Sequence, residues 1–364
     1  MIDTQFWKGK SVLVTGHTGF KGSWLSLWLS HLGAKVHGYA LDAEGQPNLY
    51  QLASVGNVVN SFIGDIRNPK SLNAFVDSCE PDIIFHLAAQ PLVRASFQDP
   101  VSTIETNVMG TVNILEAARK SESTKAMVVI TTDKCYENKE WSWGYRENEA
   151  LGGHDPYSAS KACAELITQS WRLSFMGQSG NDAQPVAVAT ARAGNVIGGG
   201  DWSADRLIPT ILHSITSDQN IVLRHPTAIR PWQHVLEPLA GYLLLAEKLL
   251  NEGSPWDTAW NFGPVDTDAK PVNWITDKLI DSFESSARWT QDSNVQLHEA
   301  SQLKLDCSKA RNELGWSPVW NLHQCLDEIV HWHQAHQQGA IMQDECINTI
   351  ERYNAESHNL KDGY

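Results

Sequence analysis

The chain has 364 residues, 42% hydrophobic and 19% charged, enough for a large core in one or two globular domains and too regular for a disordered chain. Its formal net charge of −14 leaves no basic footprint, which argues against nucleic acid and anionic membrane surfaces as main partners and requires local cations for any anionic ligand. The cysteines Cys79, Cys135, Cys163, Cys307, Cys325 and Cys346 lack metal-ligand spacing, and Met1-Ile2-Asp3-Thr4 lacks a signal peptide's basic and apolar regions, so we expect a metal-free protein of the reducing cytoplasm.

In chain order, residues 11–15 read as a short buried strand, a glycine turn follows at Gly16, Gly19 and Gly22, and residues 24–32 read as an apolar helix. The spacing is G-x-x-G-x-x-G, where the common dinucleotide fingerprint has G-x-G-x-x-G. Gly16 and Gly19 let the backbone approach a pyrophosphate at the helix N-terminus, and Gly22 allows close helix packing. Strand-like runs recur at 35–39, 61–63, 82–88, 126–132 and 186–191, with helix-like segments between most of them. That alternation predicts an α/β fold, a Rossmann-type doubly wound parallel sheet.

After about Asn195 the pattern changes: Gly198-Gly199-Gly200, several prolines and many tryptophans separate shorter elements. We therefore expect a dinucleotide-binding domain over 1–194, to which later segments return, and over 195–364 a smaller substrate-binding domain capping the carboxyl edge of the sheet, with a tail. The apolar run 239–250 is broken by Glu247 and Lys248 and, like every other, falls short of the roughly 20 residues that cross a bilayer. The polar C-terminal segment predicts a terminal helix, a dimer arm or a frayed tail.

Tyr157-Ser158-Ala159-Ser160-Lys161 places a phenol and an ammonium on one helix face at spacing i, i+4, where Lys161 can lower a phenol pKa that is normally about 10. Such a tyrosine takes a proton from an alcohol, half of an oxidation whose other half needs a nicotinamide such as NAD. At the end of the fifth strand, Thr131-Thr132-Asp133-Lys134 offers a hydroxyl for the substrate oxygen at Thr132 and two proton-transfer groups, suited to an elimination, at Asp133 and Lys134. Other polar and small residues fall at strand ends facing the same crevice. Asp42 is placed to bind a ribose diol and repel a 2′-phosphate, favouring NAD over NADP. Asp65 can accept from an adenine amine or cap a turn, and Leu87-Ala88-Ala89 is small enough for close cofactor approach. Phe20, Ile66 and Thr106 complete the candidate cofactor contacts. For a substrate diphosphate Arg206 and Arg230 offer bidentate guanidinium groups, Asn195 a substrate-facing amide, and His234 with Trp232 a pocket wall or a packed core; His86 reads as structural.

Together these blocks resemble the extended short-chain dehydrogenases/reductases, and within them the sugar-nucleotide 4,6-dehydratases. The likeness runs over nearly the whole chain through GHTGFKGSWLSLWL at 16–29, TTDKCYENKEW at 131–141, GYRENEALGGHDPYSASK at 144–161, RAGNVIGGGDW at 192–202 and RPWQHVLEPL at 230–239. Many relatives have Asp-Glu where this chain has Asp133-Lys134, and this departure favours the branch acting on CDP-glucose. The resemblance implies NAD as a regenerated cofactor, CDP-glucose as substrate, synthesis of 6-deoxy sugars for surface polysaccharide such as lipopolysaccharide O-antigen, and a homodimer formed through two long helices, one of them around 157–171. It also implies the roles: Tyr157 as base at the 4-hydroxyl with Thr132 on the same oxygen, Lys161 on the nicotinamide ribose, Asp133 as acid at the 6-hydroxyl and Lys134 as base at C5. Lys134 is alternatively an ion-pair partner of Asp133 that leaves C5 to another group. A sugar-nucleotide 4-epimerase shares the glycine turn and the Tyr157/Lys161 pair but needs no elimination pair, and a non-catalytic NAD-binding regulator needs neither tyrosine nor lysine; both stay open beside the dehydratase.

Overall fold

The computed structural model describes residues 2–176, 185–293 and 302–362. The chain enters the sheet at β1 (Ser11–Thr15), turns through the glycines, and forms α1 (Phe20–His31). This helix starts at Phe20, after its N-cap Gly19 and four residues before the apolar run that announces it. Residues Gly22 to Leu29 are buried all round, as expected of a helix covered on both sides: the sheet lies beneath it and the C-terminal helix above, where Trp28 meets Tyr353 edge-on at 5.7 Å. Then follow β2 (Lys35–Ala40), β3 (Asn60–Ile63), α2 (Pro69–Cys79), β4 (Ile83–His86), α3 (Gly110–Lys120), β5 (Ala126–Ile130), α4 (Pro156–Trp171) and β6 (Ala187–Ala193). β4 and β5 are buried at every position, the mark of central parallel strands covered on both faces. Both end sooner than their apolar runs, at His86 and Ile130, because the chain leaves the ladder there and opens the crevice; Thr131 keeps one sheet contact, its N–H donating to Ala191 O at 2.9 Å.

Beyond β6 the cap begins with β7 (Asn195–Ile197), α5 (Leu207–Thr216), β8 (Ile221–Leu223) and β9 (Ile229–His234). The chain then returns to the sheet: α6 (Leu236–Glu252) lies against β5 and β6, and β10 (Ala259–Phe262) pairs parallel with β6, Ala259 opposite Thr190. β10 is thus a segment beyond residue 194 that lies in the main sheet. The main sheet has seven parallel strands in the order β10-β6-β5-β4-β1-β2-β3, reversing direction of growth between β1 and β4, where ligand crevices form. The cap adds β11 (Ala269–Pro271), α7 (Val272–Ser282) and β12 (Trp289–Gln291), giving a three-stranded sheet β11-β9-β7 and a pair β12-β8. Helices α8 (Leu322–Gln337) and α9 (Met342–Asp362) close the chain. The polar terminal segment is thus a helix docked on α1, held by Tyr353, whose hydroxyl donates to Glu237 Oε2 at 2.7 Å.

Candidate active site

The glycine turn joins β1 to α1 directly below the β1–β4 crevice. Gly16 has φ +77°, and a Cβ there would sit 2.8 Å from Ala88 N, so the first glycine is required by the approach of the β4 exit. A Cβ on Gly22 would collide with the Gly16 carbonyl. Gly19 differs: it is exposed, and a Cβ would meet nothing closer than Gly16 O at 3.4 Å. No side chain caps α1, whose first N–H groups remain available to an anion beside an open glycine, an arrangement that fits a pyrophosphate. Leu87, Ala88 and Ala89 form the half-buried wall opposite, Leu87 N donating to Thr15 O at 3.1 Å and Ala88 N to the Thr15 hydroxyl at 3.2 Å.

The remaining cofactor candidates divide. Phe20, in the first turn of α1, packs beside Gly198, where an added Cβ would stand 3.1 Å from its ring. Asp42 is exposed beyond β2, and Thr106 lies half-buried in the π-turn Glu105–Met109 ahead of α3. Asp65 is engaged by Arg67, whose Nη2 stands 2.6 Å from Oδ2, and this hydrogen-bonded guanidinium holds the carboxyl below its usual range. Ile66 is buried under Gly110 of α3 as core.

The catalytic candidates converge. α4 starts sharply because Asp155 caps it, accepting from Ser158 N at 2.9 Å, and Pro156 occupies its first turn. That start also fixes Tyr157, whose N–H donates to Ser96 Oγ at 3.1 Å. Thr132 and Asp133 begin the short turn after β5, both buried, with the Thr132 hydroxyl donating to Asp133 Oδ1 at 3.0 Å. Asp133 Oδ2 is buried without a partner among the described residues and lies 2.8 Å from where a Gly194 Cβ would stand, so Gly194 provides the space for that oxygen. Lys134 is half-buried, its N–H donating to the Thr132 hydroxyl at 3.4 Å.

Burial pushes Tyr157 up to about 12; the Thr132 hydroxyl and, from the cap, the Arg206 cation pull it down, while Asp133 and Asp155 push it up. Lys161 Nζ donates to Ile130 O at 3.0 Å, and burial brings its own pKa down to about 8. Thr132 and Arg206 are the leading groups that lower the Tyr157 pKa in the free protein, against the larger effect of burial.

In the cap, Arg206 is held by the buried Asp201 at 3.1 Å and precedes α5. Asn195 opens β7 opposite Trp232 of β9, and Arg230 lies half-buried on β9 with Nη1 donating to Ile229 O at 3.0 Å. His234 does not reach the crevice. Only 1% exposed, it is packed edge-on against Trp320 at 4.9 Å and Trp24 at 6.2 Å, accepts from Leu236 N at 3.3 Å, and is pushed by burial down to about 3. Its place in the β9 pattern puts it on the core side, so the substrate contact expected of it is replaced by packing. Trp232 is likewise buried, donating to Lys270 O at 2.9 Å. His86, as read from the sequence, is structural, bridging Thr15 at 2.8 Å and Thr111 at 3.2 Å.

The sequence profile of the GDP-mannose 4,6 dehydratase family matches residues 13–329. The chain belongs to this family. It is 53% identical over 335 residues, 92% of its length and 93% of the relative's, to the CDP-glucose 4,6-dehydratase of Salmonella typhimurium. It is 24% identical to the dTDP-glucose 4,6-dehydratase of Haemophilus influenzae, covering 89% of this chain and 97% of that one. Among solved structures, the dTDP-glucose 4,6-dehydratase of Streptomyces venezuelae with NAD bound superposes with a TM-score of 0.75 at 23% identity, over 90% of this chain and 98% of that one, which shows the shared fold.

Within this dehydratase fold, two site residues escaped the sequence reading. Asn107, buried in the π-turn, donates to Gln90 O at 3.0 Å and to Ser160 Oγ at 2.8 Å, tying the β4 exit to α4. Lys21, one residue after Phe20, is brought down to about 7 by burial, then by the cations of Arg206 and Lys161. A charged residue in the first turn of an otherwise apolar helix is the signal that marks it; Asn107 has none.

Proposed function

We propose that the protein converts CDP-glucose to CDP-4-keto-6-deoxyglucose and water, with NAD as a regenerated cofactor. What supports this reading is the 53% identity, over 92% of the chain, to a CDP-glucose 4,6-dehydratase, together with Thr132, Asp133 and Lys134 in the turn after β5 and Tyr157 and Lys161 at the start of α4. NAD, when bound at the glycine turn, supplies the acceptor for the C4 hydride and its return to C6. Tyr157 accepts the proton of the 4-hydroxyl, with Thr132 on the same oxygen and the Arg206 charge favouring the phenolate. The 4-ketone acidifies the C5 proton, which Lys134 removes. Asp133 protonates the departing 6-hydroxyl, and its unpartnered Oδ2 is the oxygen suited to hold that proton. Arg206 and Arg230 are the cations for the diphosphate, Asn195 contacts the sugar, and Lys161 holds the nicotinamide ribose.

The reading extends to a cytoplasmic homodimer in deoxysugar synthesis for surface polysaccharide such as O-antigen. All six cysteines are free and five are buried, in keeping with a reducing compartment, and no described helix is long and apolar enough to cross a membrane. Val101 at 66% exposure, Leu166 at 53% and Leu173 at 65% leave apolar side chains uncovered on and beside α4, which supports a second copy packing there.

The test is to incubate the protein with CDP-glucose and NAD in deuterated water and identify the product by NMR and mass. A 4-keto-6-deoxy sugar carrying deuterium at C5 is expected. An unlabelled C4 epimer would instead support the 4-epimerase.

A further inference from the structure

Behind the catalytic side chains lies a buried ion pair that the reaction itself does not touch. Glu165 stands one turn beyond Lys161 on α4, and Arg192 lies on β6; both side chains are 3% exposed and their Nη2–Oε2 separation is 2.8 Å. Glu165 Oε1 accepts from the Thr131 hydroxyl, and Oε2 accepts also from the Thr190 hydroxyl at 2.7 Å. Arg192 Nη1 donates to the Tyr136 hydroxyl at 2.7 Å and to Glu147 O at 3.1 Å, while the guanidinium lies 4.8 Å from the Tyr136 ring centroid. Tyr136 passes the chain of bonds on to Asn261 Oδ1 at 2.8 Å.

The partners of this pair bracket the catalytic turn. Thr131 immediately precedes Thr132-Asp133-Lys134-Cys135, and Tyr136 immediately follows it, so one carboxylate–guanidinium unit grips both ends of the turn and the helix that carries Tyr157 and Lys161. Stability is a weak reason for such a pair, since apolar replacements of buried ion pairs are often neutral. Lys161 faces Glu165 along its own helix, Cys135 from the turn, His86 from β4 and Lys21 from α1; of these Glu165 is the acidic neighbour that favours the ammonium. Glu165 itself faces Arg192, Cys135 and Arg172.

We propose that Glu165 and Arg192 are positioning residues for the dehydration: the pair sets the catalytic turn against α4 and places a negative charge behind Lys161. This rests on the dehydratase reading. Geometry at this distance matters, because a misplacement of about 1 Å costs on the order of 100-fold in rate.

The experiment compares Glu165→Gln, Arg192→Lys and the double variant Glu165→Gln/Arg192→Gln, which leaves no unpaired charge, by kcat, KM for CDP-glucose and the pH profile of kcat. Expected are a fall in kcat of about 10- to 100-fold with KM nearly unchanged, and an alkaline limb of kcat moved to lower pH by Glu165→Gln but not by Arg192→Lys. A lower melting temperature with kcat and the alkaline limb both unchanged would make the pair merely structural and overturn the proposal. Where a single variant does not fold, the double variant decides by the same criteria. A second readout needs no turnover: the titration of Lys161, followed by NMR of the lysine-labelled protein, should show about tenfold weaker proton binding in Glu165→Gln. An unchanged titration sinks the electrostatic half of the proposal, whereas wild-type protein that leaves CDP-glucose untouched sinks the dehydratase reading instead.

Discussion

On the sheet side, the crevice is made largely of backbone: Gly16 stands against Ala88, Gly22 against the Gly16 carbonyl, and the first turn of α1 presents N–H groups that no side chain caps. On the cap side it is made of side chains held by other side chains, Arg206 by Asp201 above all. The contrast teaches where each half is vulnerable. Backbone surfaces fail through a single added methyl group, and side-chain surfaces fail through lost charge while the fold survives.

The largest expected effect separates the glycines from one another. Gly22→Ala drives a Cβ into the Gly16 carbonyl and should destabilise the protein by about 1–3 kcal/mol and weaken NAD binding on the order of 100-fold, whereas Gly19→Ala should leave the melting temperature nearly unchanged and weaken NAD binding alone. Calorimetric titration with NAD beside thermal melts checks this; equal melting temperatures for the two would break the contrast.

For the cap, Arg206→Gln should raise KM for the nucleotide sugar about tenfold with the fold retained. Because the Arg206 charge lowers the Tyr157 pKa, its removal should also move the acidic limb of the rate profile to higher pH. Steady-state kinetics across pH would show both shifts, and an unmoved limb would mean that the cap does not act on the phenol.

A third effect, on stability alone, lies between the halves, at Glu237 on α6. Burial pushes its pKa up to about 7, although Val319 N, Trp320 N and the Tyr353 hydroxyl all donate to it. The folded state therefore binds this proton more tightly than the unfolded chain, so its stabilisation is complete below the ordinary carboxyl value of 4.5 and lost as pH rises through about 7, a swing of about 3 kcal/mol. The melting temperature should fall between pH 5 and pH 8, and Glu237→Gln should flatten that slope.

The sheet half was legible in the sequence because its signals are local. A continuous apolar run reports a strand buried on both faces, and a glycine triplet between strand and helix reports a turn whose first and third positions only glycine fits. Tyr157 and Lys161 needed only helical spacing to be placed on one face. His234 was not legible: on β9 its alternation is compatible with either side, and only the packing of Trp24 and Trp320 around it assigns the ring to the core. That later segments return to the sheet was expected, but not which one, since a four-residue strand carries no mark of its distant partner β6.

By itself, the sequence determined the parallel α/β order, the glycine turn, and the placing of Thr132, Asp133 and Lys134 after β5 and of Tyr157 and Lys161 at the start of α4, because each depends on neighbours a few residues away. The tertiary structure alone decided that Lys161 bonds Ile130 O while Arg206 acts on Tyr157, that Asp133 keeps an open oxygen over Gly194, and that Glu165 and Arg192 bond the residues flanking the turn after β5. Charge and desolvation depend on what lies within a few ångströms in space, and these contacts join residues tens of positions apart in the chain.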